Sequence, residues 1–275
     1  MAVLSSAKDL ARRWLPAPLW TKLRLLRLEH SVRAFKPRQV VHKYGSREFT
    51  IHLTDPLAQG WYDKDWPELA EISMLRRHKL RPSATVFDLG AHQGIVALML
   101  ADAVGPSGKV VALEANPHNA AVARRNRDTN NASQIVIEAV AVSDVVGEIT
   151  FNRGLNGMVD DGSGAWGQIR VPALTVDALA ERHGVPDVLF IDVEGFELNA
   201  LRGARKTLES HPDCFVEMHV GVGLETFGGS VRQIIDALGP GYDLFMSTEA
   251  APTPLPFEEG HRYTQSRFFL TAIAR

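Results

Sequence analysis

Asp88, Glu114, Asp192, Glu217 and His219 each fall at the carboxyl end of a short apolar run. That is where open α/β sheets bind their ligands. Around Asp88 the chain reads Val86-Phe-Asp-Leu-Gly-Ala-His-Gln-Gly94, leaving an apolar run, turning through glycines and entering a helical pattern. Such a turn lets a ligand approach the backbone and aims helix N–H groups into the crevice. The spacing is Gly-x-x-x-Gly, so the Gly-x-Gly-x-x-Gly dinucleotide fingerprint is absent. The acid just before the turn would repel a pyrophosphate and attract an ammonium group. Glu114 follows Gly94 by twenty residues, at the end of the next run. A carboxylate there can accept both hydroxyls of a ribose. Together the two acids describe a ligand with a ribose and a positive charge but no phosphate, which fits S-adenosylmethionine (SAM).

Alternating strand and helix patterns must position these residues. Strands are expected at Thr85-Val-Phe-Asp, Lys109-Val-Val-Ala-Leu-Glu, Ile135-Val-Ile-Glu, Asp187-Val-Leu-Phe-Ile-Asp and Cys214-Phe-Val-Glu-Met-His. Tyr242-Asp-Leu-Phe-Met and Arg267-Phe-Phe-Leu-Thr-Ala-Ile close the sheet. Helices are expected near 67–78, 94–104, 117–129, 175–183, 197–209 and 230–238. An alternating stretch from Gln39 to Leu53 around Gly45-Ser46 reads as a hairpin, and Glu148-Ile-Thr-Phe with Gln168-Ile-Arg-Val as another. The second brackets a loop from Arg153 to Gly167, whose Asn156, Asp160, Asp161 and Trp166, with Asn152 before it, suit a lid over a sugar-like acceptor.

The chain has 275 residues, 45% hydrophobic and 23% charged, which excludes a disordered or collagen-like polymer. Its one cysteine, Cys214, excludes an internal disulfide and any cysteine-held zinc or iron–sulfur cluster. It begins a buried strand, so base C5 methylation through a cysteine nucleophile is not expected. Residues 1–47 hold 11 Lys and Arg against two acids, Asp9 and Glu29, whereas residues 48–275 hold 19 against 30. An acidic body does not suit a nucleic-acid groove. The basic end, with Trp14, Leu15, Trp20, Leu23 and Leu26 among its cations, is expected to form two helices divided at Pro16 and Pro18. Residues 1–38 are thus expected as a basic helical extension and residues 39–275 as the main domain. The extension packs on that domain or on a second subunit, as in a homo-oligomer, or through residues 1–35 rests on a membrane surface. No apolar run reaches the length of a membrane span, and no secretory signal is expected at the start. A cytoplasmic protein is expected, peripheral at the inner membrane surface if the extension binds lipid.

Several segments occur in the order found in FkbM-type methyltransferases: Asp88-Leu-Gly-Ala-His-Gln-Gly94, Leu113-Glu-Ala-Asn-Pro117, Ala139-Val-Ala-Val-Ser-Asp144, Leu174-Thr-Val-Asp-Ala-Leu179, Phe190-Ile-Asp-Val-Glu-Gly-Phe-Glu197 and Glu217-Met-His219. The resemblance covers about residues 61–245. It implies a class I, Rossmann-like methyltransferase fold with a seven-stranded, mostly parallel sheet, SAM as cofactor, and methylation of hydroxyls on glycans, glycolipids or polyketides. His92 stands where many relatives carry Asn. Carried over, Asp88 and the turn residues Gly90, Ala91, His92 and Gly94 line the methionine end of SAM. Glu114 takes the ribose, Ala115 and Asn116 flank the adenine, and Ala141 and Val142 pack at its edge.

Transfer from a sulfonium to an alcohol requires alignment of the oxygen and removal of its proton. His219, whose ordinary pKa lies near neutrality, is the leading candidate base. Asp192 would orient it or touch the SAM ammonium, Glu217 shares its strand face, and Glu194 joins the cluster or caps the next helix. A divalent metal, such as magnesium on Asp192, Glu217 and His219, is the lesser expectation. The alternatives are a nicotinamide-dependent oxidoreductase, since Glu114 also suits an NAD ribose, and a non-catalytic interaction protein on the same fold.

Overall fold

The computed structural model describes residues 17–152, 154–160, 167–258, 260 and 266–275. The first half of the expected N-terminal extension, and Asp161 and Trp166 of the expected lid, lie outside them. The second expected helix is α1 (Ala17–Ala34), with Pro18 in its first turn, where a missing N–H costs nothing. Leu19, Leu23 and Leu26 of α1 are exposed. Among the described residues no helix is long and apolar enough to cross a membrane.

The hairpin around Gly45 is β1 (Arg38–Tyr44) with β2 (Arg47–Leu53). Two short helices follow, α2 (Pro56–Tyr62) and α3 (Ala70–Leu75). Next come β3 (Thr85–Leu89), α4 (Ile95–Val104), β4 (Lys109–Leu113), α5 (Pro117–Thr129) and β5 (Ile135–Glu138). Strands β6 (Ala141–Val142), β7 (Gly147–Asn152) and β8 (Gln168–Leu174) make a separate small sheet. The chain continues through α6 (Val176–His183), β9 (Val188–Ile191), α7 (Glu197–Arg202), α8 (Arg205–Leu208), β10 (Asp213–Met218), α9 (Val231–Leu238), β11 (Tyr242–Ser247), β12 (Leu255–Pro256) and β13 (Phe268–Ala274).

The main sheet runs β12-β11-β13-β10-β9-β3-β4-β5. Seven of these are the expected strands, and the eighth, β12, adds two residues at the β11 edge. Strand β13 lies antiparallel between β10 and β11, while β10, β9, β3, β4 and β5 are mutually parallel. Period-two alternation feeds a core on each face of the sheet. Val86, Val110, Ala112, Phe190 and Phe215 pack with α3 and α4 on one side. Phe87, Leu89, Val111, Leu189, Ile191 and Val216 pack with α7 and α9 on the other.

Two differences from the expected elements have local causes. Asp55 accepts N–H groups from Leu57 and Ala58 and so caps α2, a helix that the sequence periodicity does not reveal. The helix expected over 197–209 breaks into α7 and α8 at Gly203, where an added Cβ would lie 2.2 Å from the Ser143 carbonyl oxygen.

Candidate functional site

The parallel strands end in a cavity of about 350 Å³. Its cofactor-side wall starts at β3. Gly90 and Ala91 both donate their N–H to the Leu113 carbonyl, at 3.0 and 2.8 Å, which folds the turn back onto β4. Gly90, His92 and Gly94 have φ of +97, +47 and +80°, so the chain passes through the left-handed region three times in five residues. A Cβ on Gly90 would lie 1.8 Å from the Asp192 carbonyl oxygen. One on Gly94 would meet Ala123 of α5 at 3.1 Å. The first glycine therefore admits the end of β9, and the second admits a neighbouring helix.

Asp55 holds this turn from below. It is fully buried and accepts from Gln93 Nε2 at 2.7 Å and His118 Nε2 at 3.2 Å. Burial alone would raise its pKa, but these bonds and the Ala58 N–H hold it down at about 2. His92 is buried, and burial lowers it to about 4, so the ring is neutral. Its Nε2 faces the Leu155 carbonyl at 3.2 Å, which can only accept, so that nitrogen carries the hydrogen. Nδ1 therefore accepts from Tyr62 Oη at 2.7 Å.

Of the residues expected to hold the cofactor, Gly90, His92, Glu114, Ala115, Ala141, Val142 and Asp192 line the cavity. Asp88, Ala91, Gly94 and Asn116 stand behind them. Asp88 is 2% exposed, and burial pushes it up to about 7. Its Oδ2 has no hydrogen-bond partner among the described residues. Asn116 caps α5 by accepting from His118 N–H and donates Nδ2 to the Gly154 carbonyl at 3.0 Å. Glu114 accepts the Asn116 N–H at 2.6 Å. Burial raises it to about 8, against the pull of the backbone N–H groups of Asn116 and His92. Gly157 packs against Glu114 and Asn116, so the described part of the expected lid, 154–160, forms part of the wall. A buried carboxylate facing a mostly apolar wall, beside a turn whose Gly90 and His92 line the cavity, fits the adenosine of SAM.

The acidic end gathers Asp192, Glu194, Glu217 and His219, as their strand-end positions suggest. Asp192, Glu194 and Glu217 line the cavity. His219 lies under them, 2% exposed, with Nε2 at 3.4 Å from Glu194, 3.7 Å from Glu217 and 3.8 Å from Asp192. None of these contacts is a hydrogen bond, and Nε2 has no such partner among the described residues. Nδ1 donates to Glu197 Oε1 at 2.7 Å. Burial opposes the imidazolium, but Glu197, Glu194 and Asp192 outweigh it and lift His219 to about 9. This environment does not suit the expected role as a free base, because the ring is already protonated near neutrality and is shielded from the cavity. Burial, then Glu217 and Glu194, push Asp192 well above the carboxylate range. Arg267 Nη1 sits 3.3 Å from Glu217 and anchors it at the cavity wall.

Glu194 does not cap a helix. With φ of +52° it turns the chain into Gly195 (φ +101°), whose absent Cβ allows contact with Gly223. Its Oε1 accepts Asn156 Nδ2 at 2.8 Å. Glu197, fully buried, also accepts the Gly195 N–H at 2.7 Å. Sequence reasoning assigned Glu197 no role, although an acid opening the helix that follows a strand end was a usable signal. It also missed Trp61, Tyr62, Trp66 and Phe269, which make an aromatic flank of the cavity. Trp61 and Tyr62 belong to the unanticipated α2, and their rings lie 5.1 and 5.6 Å from the His92 ring.

Comparison with known proteins gives this geometry a lineage. The hexuronic acid methyltransferase AglP of Haloferax volcanii is 25% identical over 190 residues, 66% of this chain and 74% of that protein. The crystal structure of methyltransferase FkbM from Methylobacillus flagellatus KT is 18% identical with a TM-score of 0.45. The match covers 69% of this chain and 43% of that one, so the chain spans less than half of that protein. A SAM-dependent O-methyltransferase from Thermotoga maritima is 15% identical with a TM-score of 0.42, over 86% of this chain and 78% of that one. Residues 88–242, which run from the Asp88 turn through the acidic end, match the methyltransferase FkbM domain. That stretch is more than half of the 275 residues, and the chain belongs to the FkbM family of SAM-dependent methyltransferases.

Proposed function

We propose that this methyltransferase acts on a hydroxyl oxygen of a glycan, glycolipid or polyketide-type acceptor, with a carbohydrate favoured. The observation that carries this reading is one cavity lined both by the buried Glu114 and by the open carboxylates of Asp192, Glu194 and Glu217, flanked by Trp61, Trp66 and Phe269. Carboxylates accept sugar hydroxyls, and aromatic faces cover the apolar faces of sugar rings. AglP, named for a hexuronic acid, supports a carbohydrate acceptor.

When bound, SAM supplies an electrophilic methyl group. Gly90, His92, Glu114, Ala115, Ala141 and Val142 would hold it, with the Glu114 carboxylate accepting the ribose hydroxyls. Asp192 and Glu194 position the acceptor oxygen. Glu217 takes its proton, because the carboxylate lines the cavity and is fixed by Arg267. The aromatic flank and the Gly157 loop keep water from the reacting oxygen.

The test is transfer of an isotopically labelled methyl group from SAM to a panel of free glycans, uronic acids, glycolipids and polyketide alcohols, with products assigned by NMR. Label on a hydroxyl oxygen, lost in Glu217→Gln while S-adenosylhomocysteine still binds, is the expected result. Label on nitrogen or carbon would overturn the oxygen assignment.

A further inference from the structure

We propose that Asp192, Glu194 and His219 bind a divalent cation at the acceptor end of the cavity. The inference rests on the O-methyl transfer reading for the ion's use, though not for its binding. One ligand atom from each residue lies within 4.8 Å of the other two. His219 Nε2 is 3.4 Å from Glu194 Oε2 and 3.8 Å from Asp192 Oδ1. An ion with bonds of about 2.1 Å sets its ligand atoms roughly 3.0 Å apart when adjacent and about 4.2 Å apart when opposed. The two His219 separations fall inside that window.

A second, independent observation is the state of Nε2. The ring is 2% exposed, and this nitrogen has no hydrogen-bond partner among the described residues, although three carboxylates surround it. Buried polar atoms are normally satisfied; the Nε2 hydrogen of the free imidazolium meets no acceptor in hydrogen-bond geometry among the described residues, and a divalent cation would take its place, releasing that proton. The surroundings would fix the ligands as metal sites require. Glu197 accepts the Nδ1 hydrogen at 2.7 Å, which turns Nε2 toward Asp192 and Glu194. Asn156 donates to Glu194 Oε1 at 2.8 Å, which leaves Oε2 facing His219. Charge points the same way. Asp192, Glu194, Glu197 and Glu217 crowd one imidazole, and the Arg267 guanidinium near them is shared with Glu249, so a divalent cation would offset much of their repulsion.

Glu194, in place of the expected Glu217, completes the set, because Glu217 is paired with Arg267. Two carboxylate oxygens and one imidazole suit manganese, or magnesium with several retained waters, and leave positions for an acceptor oxygen. The ion would lower the pKa of a coordinated hydroxyl, whose proton passes to Glu217 as the oxygen–methyl bond forms and the sulfur–methyl bond breaks.

The experiment titrates the full chain, stripped with a chelator, with Mn²⁺ in the absence of donor and acceptor, reading free Mn²⁺ by electron paramagnetic resonance. One bound ion per chain is expected, with affinity weakened at least about tenfold in His219→Ala and in Asp192→Asn. Asn156→Ala should give a smaller loss. Circular dichroism and an unchanged Tm identify variants that remain folded. Absence of a stoichiometric site in the wild type, or unchanged affinity in both folded ligand variants, would overturn the proposal. In that case chelator-insensitive methyl transfer to a hydroxyl would leave the O-methyltransferase reading standing. Mn²⁺ bound as described with label found only on nitrogen would do the reverse.

Discussion

The Cα of Gly90 lies beneath the carbonyl of Asp192, so closely that a Cβ at Gly90 would approach that oxygen to 1.8 Å. The cofactor turn and the acidic end of the site are thus one packed unit, made possible by a residue without a side chain at φ +97°. Gly90→Ala would add both a backbone clash and left-handed strain, costing at least about 3 kcal/mol. For a chain of this size that lowers Tm by roughly 6–12 °C. S-Adenosylhomocysteine binding should fall with it. An alanine variant with wild-type Tm and undiminished binding would show that the two loops are not coupled in this way.

Tyr62 and His92 join α2 to the same turn. Tyr62→Phe would remove the hydrogen donated to Nδ1 and leave a buried acceptor open, at about 1–3 kcal/mol. Imidazole nitrogen NMR should show the Nε2–H tautomer in the wild type, since the partner of that nitrogen is the Leu155 carbonyl. A hydrogen found on Nδ1 would contradict the assignment, as would a Tyr62→Phe variant with unchanged Tm.

Cys214 is fully buried at the start of β10, and burial, with Asp213 nearby, pushes its thiol up to about 12. Its thiolate is therefore scarce as well as inaccessible. Iodoacetamide at pH 8 should label the native chain at least about 100-fold more slowly than the denatured chain. Comparable rates would mean that this strand opens readily, and that the thiol is not the inert residue its packing implies.

Residues that announce themselves by alternation or by place in a strand were legible in the sequence. The runs ending in Asp88, Glu114, Asp192 and Glu217 are strands as expected, and the acids they deliver reach one cavity or its wall. What the sequence concealed depends on tertiary approach. Gly94 reads as a cofactor glycine, yet its side facing Ala123 is what requires it. Helix α2 is seven residues, too short for a periodic signature, and it exists because buried Asp55 caps it; Trp61 and Tyr62 were hidden with it. His219 reads as a base because its intrinsic pKa suits one. Only the structure places four carboxylates around its ring and so changes its protonation.

Glu114 makes stability and cofactor binding depend on pH in opposite senses. Its folded pKa of about 8 lies above its ordinary value of 4.5, so between those values the folded chain keeps a proton that the unfolded chain has lost. The stability this contributes is present at low pH and is lost as pH rises toward 8, by up to about 1.4 kcal/mol per pH unit. Asp88, raised to about 7, adds a contribution of the same sign over a lower window. Glu114→Gln should flatten the part of the slope between pH 7 and 8 that Asp88 does not share. Binding runs the other way, because ribose hydroxyls donate into a carboxylate and favour its ionised form. S-Adenosylhomocysteine affinity should therefore rise with pH from 6 to 8, by at most about tenfold per unit, with a proton released on binding. Calorimetry in buffers of different ionisation enthalpy reads that proton directly. In Glu114→Gln the affinity should be weaker and its rise between pH 7 and 8 shallower, with Asp88 left to titrate at about 7. A wild-type chain that binds without releasing a proton would show that Glu114 is already ionised, or that the ribose does not reach it.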